Sequence, residues 1–317
     1  MKIILFEVTK DKEETFRKPL EGQEVFMYEE KLTKDNTAKV AGAEVVSVFI
    51  NSRVDKQVID AMPNLKLICT RSTGFDHIDT AYCKSKGIAV ANVPAYGSAT
   101  VAEFTFALIL SLSRKIFQAG KRLGEPGPFS IDGLQGFDLA DKTIGVVGVG
   151  KIGKNVIKIA KGFGMKILAC DSYPDDSFAQ ENDFEYVALD ILLSQSDIVT
   201  LHAPYTKDNH HLINKERISF MKKGAYLFNT ARGELVDTNA LTLGLTSGHL
   251  GGAGLDVLEG EQEMGKDKLK ALLDMPNVII TPHVAFYSKE AEARIIQTTT
   301  ENIQNFLKNN LTNIVNE

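Results

Sequence analysis

Cysteine is scarce, with Cys69, Cys83 and Cys170 the three in a chain of 317 residues. They are widely spaced, odd in number and form no CxxC pair. That pattern argues against a disulfide framework or a zinc site, and for buried thiols in a reducing compartment. Positive charge is not in excess either. The 36 Lys and Arg against 41 Asp and Glu leave a net charge of −5, so a broadly basic nucleic-acid surface is not expected. Long apolar runs are missing too. The most apolar stretch, residues 104–112 (FTFALILSL), lies between Glu103 and the pair Arg114 and Lys115. It falls short of the ~20 apolar residues that span a bilayer and reads as a buried helix. The opening MKIILFE carries no long apolar core or small-residue cleavage site, so the expected location is cytoplasmic, with no membrane partner. There is no sustained heptad, no sequence repeat and no low-complexity tract.

What is present is alternation. Length alone suggests about two domains. In the first hundred residues, strand-like runs at 2–8, 24–28, 43–50, 65–70 and 88–93 alternate with helical stretches at 11–18, 54–62 and 80–86. The run AEVVSVFI at 43–50 is β-branched and apolar, as a strand buried on both faces should be. Such alternation implies βαβ units and a parallel sheet. A long helix is predicted over 98–117, with Ser98 or Thr100 as its cap. Residues 123–138 hold four glycines and two prolines and read as a loop. A second alternation follows, with six strand candidates at 143–147, 166–170, 197–202, 225–229, 252–257 and 278–281. One amphipathic helix, 288–307, closes the chain.

The run GVVGVGKIG contains GxGxxG at Gly148, Gly150 and Gly153. The bare pattern is weak, but here a strand precedes it, a helix follows, and Asp171 ends the next strand. Gly148 permits the tight turn, Gly150 lets backbone approach a pyrophosphate, and Gly153 lets helix and strand pack closely. A carboxylate at Asp171 accepts from an adenosine ribose and repels a 2′-phosphate, so NAD is expected over NADP. Three further candidates follow strand ends: Arg232 after AYLFNT, Glu261 beyond GGAGLDV, and His283 after NVIIT. Open α/β sheets bind ligands at those ends. Among the other histidines, adjacent His210 and His211 do not share one helix face as HxxxH ligands do. His77 and His249 are expected to be exposed, and no metal is predicted.

Seven segments together resemble the NAD-dependent D-2-hydroxyacid dehydrogenases, and within them bacterial D-lactate dehydrogenases most closely. They are RSTGFDHID (71–79), NVPAYGSATVAEF (92–104), GVVGVGKIG (145–153), LHAPYT (201–206), NTARGELVD (229–237), GLDVLEGE (254–261) and TPHVAFYS (281–288). The resemblance implies a Rossmann NAD-binding domain (98–284) inserted into a flavodoxin-like substrate domain (1–97 and 285–317), both α/β doubly wound parallel sheets. It assigns catalysis to Arg232, Glu261 and His283, with Glu259 a nearby competitor for Glu261. Histidine suits the proton transfer because its ordinary pKa is about 6.5. A carboxylate beside it favours the imidazolium, and a permanently charged arginine grips a substrate carboxylate. Further NAD contacts implied are Lys151 and Ile152 over the pyrophosphate, Ala203, Pro204 and Asn209 on the adenosine side, and Thr230, Ala231 and Asp256 at the nicotinamide end. Thr73 and Gly74 would bind the substrate carboxylate through backbone N–H groups. Phe49, Tyr96 and Phe286 would wall its side chain.

The implied reaction is NADH-dependent reduction of a small 2-keto acid, with pyruvate to D-lactate leading and a glyoxylate or hydroxypyruvate reductase as the alternative. An NAD-sensing regulator, like the co-repressors among relatives of this fold, is the alternative of another class. The apolar helix after Gly97 implies a homodimer through the NAD domain. Three departures from the family pattern bear on substrate: Phe104 where many relatives have His, Gln262 where many have Pro, and a short stretch between Glu261 and His283.

Overall fold

The computed structural model describes residues 1–123, 129–261 and 265–316. Gln262 and part of the 123–138 loop lie outside them. The chain divides into two compact units, Met1–Tyr96 with the chain from Ser288 on, and Gly97–Tyr287.

The first unit holds β1 (Lys2–Leu5), β2 (Glu24–Met27), β3 (Val45–Val48), β4 (Leu67–Thr70) and β5 (Ala89–Ala91). They pair in parallel in the order β2-β1-β3-β4-β5, the flavodoxin-like winding. Every residue of β3 (VVSV) and β4 (LICT) is buried, because central parallel strands are covered on both faces. The edge strand β2 alternates between exposed and half-buried instead. The helix Lys289–Leu307 starts where the Ser288 hydroxyl accepts from the Ala291 N–H at 3.1 Å. Glu290 and Glu292 in its first turn suit the positive end of the helix dipole. Its Ile296 and Ile303 bury against Ile3 and Leu5 of β1 and Leu67 of β4.

The second unit holds β6 (Thr143–Val147), β7 (Lys166–Cys170), β8 (Glu185–Tyr186), β9 (Ile198–Leu201), β10 (Ala225–Asn229), β11 (Leu250–Leu255) and β12 (Val278–Ile280). All pair in parallel in the order β12-β11-β10-β9-β6-β7-β8. The winding reverses between β6 and β9, and ligands of such sheets bind at that switch point.

Three expectations need correction. The predicted helix over 98–117 is two helices, Ser98–Ser113 and Ile116–Leu123. Lys115 between them takes a left-handed φ of 52°, and the returning chain donates the Phe137 N–H to the Ser113 carbonyl at 2.9 Å. The cap of the first helix is Gly97, without a side-chain cap, rather than Ser98 or Thr100. The second sheet has a seventh strand, the two-residue β8. Phe104 is half-buried against the core beneath the first of these helices. Among the described residues, no helix is long and apolar enough to cross a membrane.

Candidate active site and dinucleotide loop

The phosphate loop leaves β6 at the switch point. Gly148 sits at φ +91°, and a Cβ there would lie 2.4 Å from the Ala203 nitrogen. A side chain is therefore excluded by both conformation and space. At Gly153 a Cβ would meet the Gly148 carbonyl oxygen at 2.1 Å, which is how the helix Lys151–Gly162 comes down onto the loop. Gly150 differs, since nothing among the described residues lies within 4 Å of its Cβ position. It caps that helix without a side-chain hydrogen bond, leaving open space before a helix N-terminus, the setting that receives a pyrophosphate. Lys151 and Ile152 open the helix there. The Asp171 carboxylate accepts from the Val149 N–H at 2.6 Å and the Tyr173 N–H at 2.8 Å, which holds it at the loop's edge. These features fit a dinucleotide.

The remaining cofactor candidates are mostly turn builders. Asn209 accepts from the Thr206 N–H at 2.7 Å and donates to the Pro204 carbonyl at 2.8 Å. It shapes the turn that presents Ala203 and Pro204. Thr230 is buried, and its hydroxyl lies 3.0 Å from that of Thr105. Ala231 is fixed by the buried Asn229, whose side chain accepts from the Ala231 N–H at 3.0 Å and donates to the Arg232 carbonyl at 2.7 Å.

His283 and Glu261 meet directly, with Nδ1 and Oε1 2.8 Å apart. His283 has a left-handed φ of 55°, unusual for a residue with a Cβ. Asp256, 1 % exposed, holds it there. The Asp256 carboxylate accepts from the Thr281 hydroxyl at 2.5 Å and from the Val284 and Ala285 N–H groups at 2.9 and 2.8 Å. Its carbonyl takes the His283 N–H at 2.9 Å. The Phe286 ring stands edge-on to His283, centroids 6.5 Å apart. Glu261 is tied to its own turn through the Leu258 N–H at 3.2 Å. Burial pushes its carboxyl up, but His283, that N–H and the charge of Arg232 outweigh burial and hold it below the ordinary range. Arg232 precedes Gly233, whose Cβ position lies 2.1 Å from the Leu258 carbonyl carbon. That close approach seats the Arg232 turn on the segment carrying Glu261. The competitor Glu259 points elsewhere, its carboxylate 2.8 Å from His211 Nε2.

In the first unit, Thr73 donates its hydroxyl to the Val93 carbonyl at 2.9 Å and accepts from Asn92 at its own carbonyl at 2.8 Å. The Gly74 carbonyl accepts from the Ser72 hydroxyl at 2.6 Å. Phe49 and Tyr96 are half-buried in the same unit. A residue without a role in the sequence reading, Arg71, lies beneath this loop at 4 % exposure. It donates to Ser47 Oγ at 3.0 Å, to the Glu7 carbonyl at 3.0 Å and to the Phe6 carbonyl, with Phe49 stacked 5.9 Å from its guanidinium. Burial lowers its pKa to about 10. Only its RSTG setting marked it, because a buried cation looks like a surface one in sequence. His77 and His249, expected to be exposed, are half-buried, bonded to the Thr70 hydroxyl at 3.0 Å and the Ile218 carbonyl at 2.9 Å.

Residues 106–285 match the family model described as D-isomer specific 2-hydroxyacid dehydrogenase, NAD binding domain. The D-lactate dehydrogenase of Escherichia coli K12 is 38% identical over 290 residues, covering 87% of this chain and 88% of that one. An aromatic 2-oxoacid reductase of Clostridium sporogenes is 39% identical over 320 residues, covering 96% of each. Among solved structures, the Aquifex aeolicus D-lactate dehydrogenase complexed with NAD and lactic acid superposes with a TM-score of 0.90 at 38% identity, covering 99% of both chains. The chain belongs to the D-isomer specific 2-hydroxyacid dehydrogenase family, and is an oxidoreductase with an NAD-binding domain.

Proposed function

We propose that this enzyme reduces a small 2-keto acid to the D-2-hydroxy acid with NADH, pyruvate to D-lactate being the leading pair. The observation that carries this reading is the 2.8 Å contact between His283 Nδ1 and Glu261 Oε1. With Glu261 ionised, Nδ1 keeps its proton and the ring is held with Nε2 directed away from the carboxylate. Bound NADH supplies the hydride to the keto carbon. His283 gives the keto oxygen its proton from Nε2, and takes it back in the reverse direction. Arg232 grips the substrate carboxylate and polarises the keto oxygen, since its charge is permanent. The family resemblance assigns the Thr73 and Gly74 N–H groups to substrate carboxylate binding as well. Asp256 has three donors on its two oxygens, and a carboxylate offers about four lone-pair sites. One site is left for a carboxamide.

The family resemblance assigns Phe49, Tyr96 and Phe286 to the substrate side chain, and aromatic residues there suit a short one. The substrate choice draws support from the Escherichia coli and Aquifex aeolicus relatives. The Clostridium sporogenes relative makes aromatic 2-oxo acids the competing class. The test follows NADH oxidation with pyruvate, 2-ketobutyrate, glyoxylate, hydroxypyruvate and phenylpyruvate, with chiral analysis of the product. The highest kcat/KM on pyruvate with D-lactate formed supports the reading; a preference for phenylpyruvate, glyoxylate or hydroxypyruvate replaces the substrate. We further infer a cytoplasmic homodimer. The exposed Ile116 and Phe117 at 57% and 59% and three free thiols support this, and sedimentation of the pure protein tests the dimer.

A further inference from the structure

His210 and His211 are adjacent, which disqualifies them as ligands on one helix face. The structure places them on no helix. They follow the short 3₁₀ turn Lys207–Asn209, and His211 takes a left-handed φ of 51°. That conformation stacks the two rings, centroids 3.9 Å apart and planes 24° apart. Both Nε2 atoms then face one carboxylate oxygen. Glu259 Oε1 lies 2.8 Å from His211 Nε2 and 3.8 Å from His210 Nε2. The three donor atoms all lie within 4.8 Å of one another. The residues are 44, 32 and 30% exposed in the order His210, His211, Glu259, so an ion reaches them from solvent.

The cluster is built rather than incidental. The His211 N–H donates to the Glu234 carbonyl at 2.9 Å, and the Ile213 N–H to the Leu235 carbonyl at 2.8 Å. Gly233, at the head of that same segment, packs against the Leu258–Glu259 backbone. One scaffold, residues 233–237, therefore positions both the histidine pair and the glutamate. The Tyr205 hydroxyl lies 3.4 Å from His210 Nδ1, a partner on the far ring nitrogen of the kind that orients metal-bound histidines.

We propose that His210, His211 and Glu259 form a three-ligand site for a borderline transition-metal ion of the Zn²⁺ class, separate from the His283–Glu261 pair. Two imidazoles and one carboxylate suit zinc, copper or nickel, whereas magnesium and calcium take oxygen ligands. Tetrahedral zinc at ~2.0–2.2 Å from each ligand needs donor atoms roughly 3.3–3.6 Å apart, and the 2.8 and 3.8 Å separations bracket that spacing. A water completes the fourth position. The ion takes the place of the His211–Glu259 hydrogen bond and fastens the turn at 258–261, which also carries Glu261, to the 205–211 segment.

The test uses the full chain stripped with a chelator and titrated calorimetrically with Zn²⁺ alone. The expected result is one ion per chain. Affinity falls at least about tenfold in His211→Ala and in Glu259→Gln, and is unchanged in His283→Ala. Cu²⁺ bound in the same protein is expected to show hyperfine coupling to two nitrogens by electron paramagnetic resonance, and to one in His210→Ala. Zinc is expected to slow hydrogen exchange at residues 258–261. Glu259→Gln keeps the residue's size, so a folded reference remains if an alanine variant does not fold. No zinc uptake overturns the proposal. So does uptake that survives His211→Ala and Glu259→Gln, or uptake abolished by His283→Ala, which would put the ion on the catalytic pair.

Discussion

Two glycines of the phosphate loop separate cofactor binding from folding. Gly153→Ala puts a methyl 2.1 Å from the Gly148 carbonyl oxygen, against an ordinary contact of at least 3.4 Å. The obstacle is backbone, so no side chain can swing aside. The helix Lys151–Gly162 must lift from the loop by about 1.3 Å, the difference between those two distances. Overpacking of this kind costs about 3 kcal/mol, and a unit of this size loses roughly 2–4 °C of Tm per kcal/mol. The expected drop is roughly 6–12 °C. Gly150→Ala meets nothing within 4 Å among the described residues, and its φ of −71° and ψ of −161° lie in the extended region open to other residues. Its Tm is expected to stay within about 4 °C of the parent. Its methyl stands in the open space before the helix, so the NADH dissociation constant rises at least about tenfold, or 1.4 kcal/mol. Thermal melts and NADH fluorescence titrations read the two quantities. A Gly150→Ala protein that binds NADH like the parent refutes the cradle. One that melts as early as Gly153→Ala refutes the packing argument.

Two further variants probe the same unit. Asp171→Ala removes the acceptor of the Val149 and Tyr173 N–H groups and the charge that repels a 2′-phosphate. The ratio of kcat/KM for NADPH over NADH is expected to rise about tenfold, and an unchanged ratio counts against Asp171 as the selector. His202 bonds the Thr200 hydroxyl through Nε2 at 2.9 Å, while its buried Nδ1 has no partner among the described residues. Burial pushes its imidazole down to about 3, below an unfolded value near 6.5. Between those values the unfolded chain holds a proton that the folded chain does not. Stability therefore falls as pH drops below about 6.5, by at most about 1.4 kcal/mol per pH unit. His202→Gln should flatten that slope in urea melts at successive pH values, and equal slopes in both proteins refute the assignment.

The strands were readable where burial on both faces forces β-branched runs, as in AEVVSVFI around β3 and TIGVV at β6. Less was readable where tertiary contacts decide. The two-residue β8 has no run to show, and the helix Asp176–Asn182 has too few apolar positions for a periodic stripe. The break at Lys115 depends on Phe137 returning to Ser113, which no local signal announces. At the site, spacing from the strand ends and the family motifs singled out Arg232, Glu261 and His283 for inspection. The geometry adds that Glu261, and not Glu259, contacts His283. What the sequence does not show at Asp256 is its structural work: three bonds on its carboxylate go to the loop that seats His283. Helix geometry keeps adjacent histidines from sharing a ligand face, and a left-handed residue in a turn, His211 at φ 51°, removes that constraint.

The proposed reaction depends on His283 as the proton donor. The most direct measurement is NADH oxidation at saturating pyruvate by the parent enzyme and by His283→Ala, with NADH affinity determined on both. In His283→Ala the expected kcat is lower by about 10²–10⁴-fold, with NADH bound as before. A variant that turns over at close to the parent rate would contradict that role, because the 2.8 Å pair with Glu261 would then be structural and the proton would come from another group.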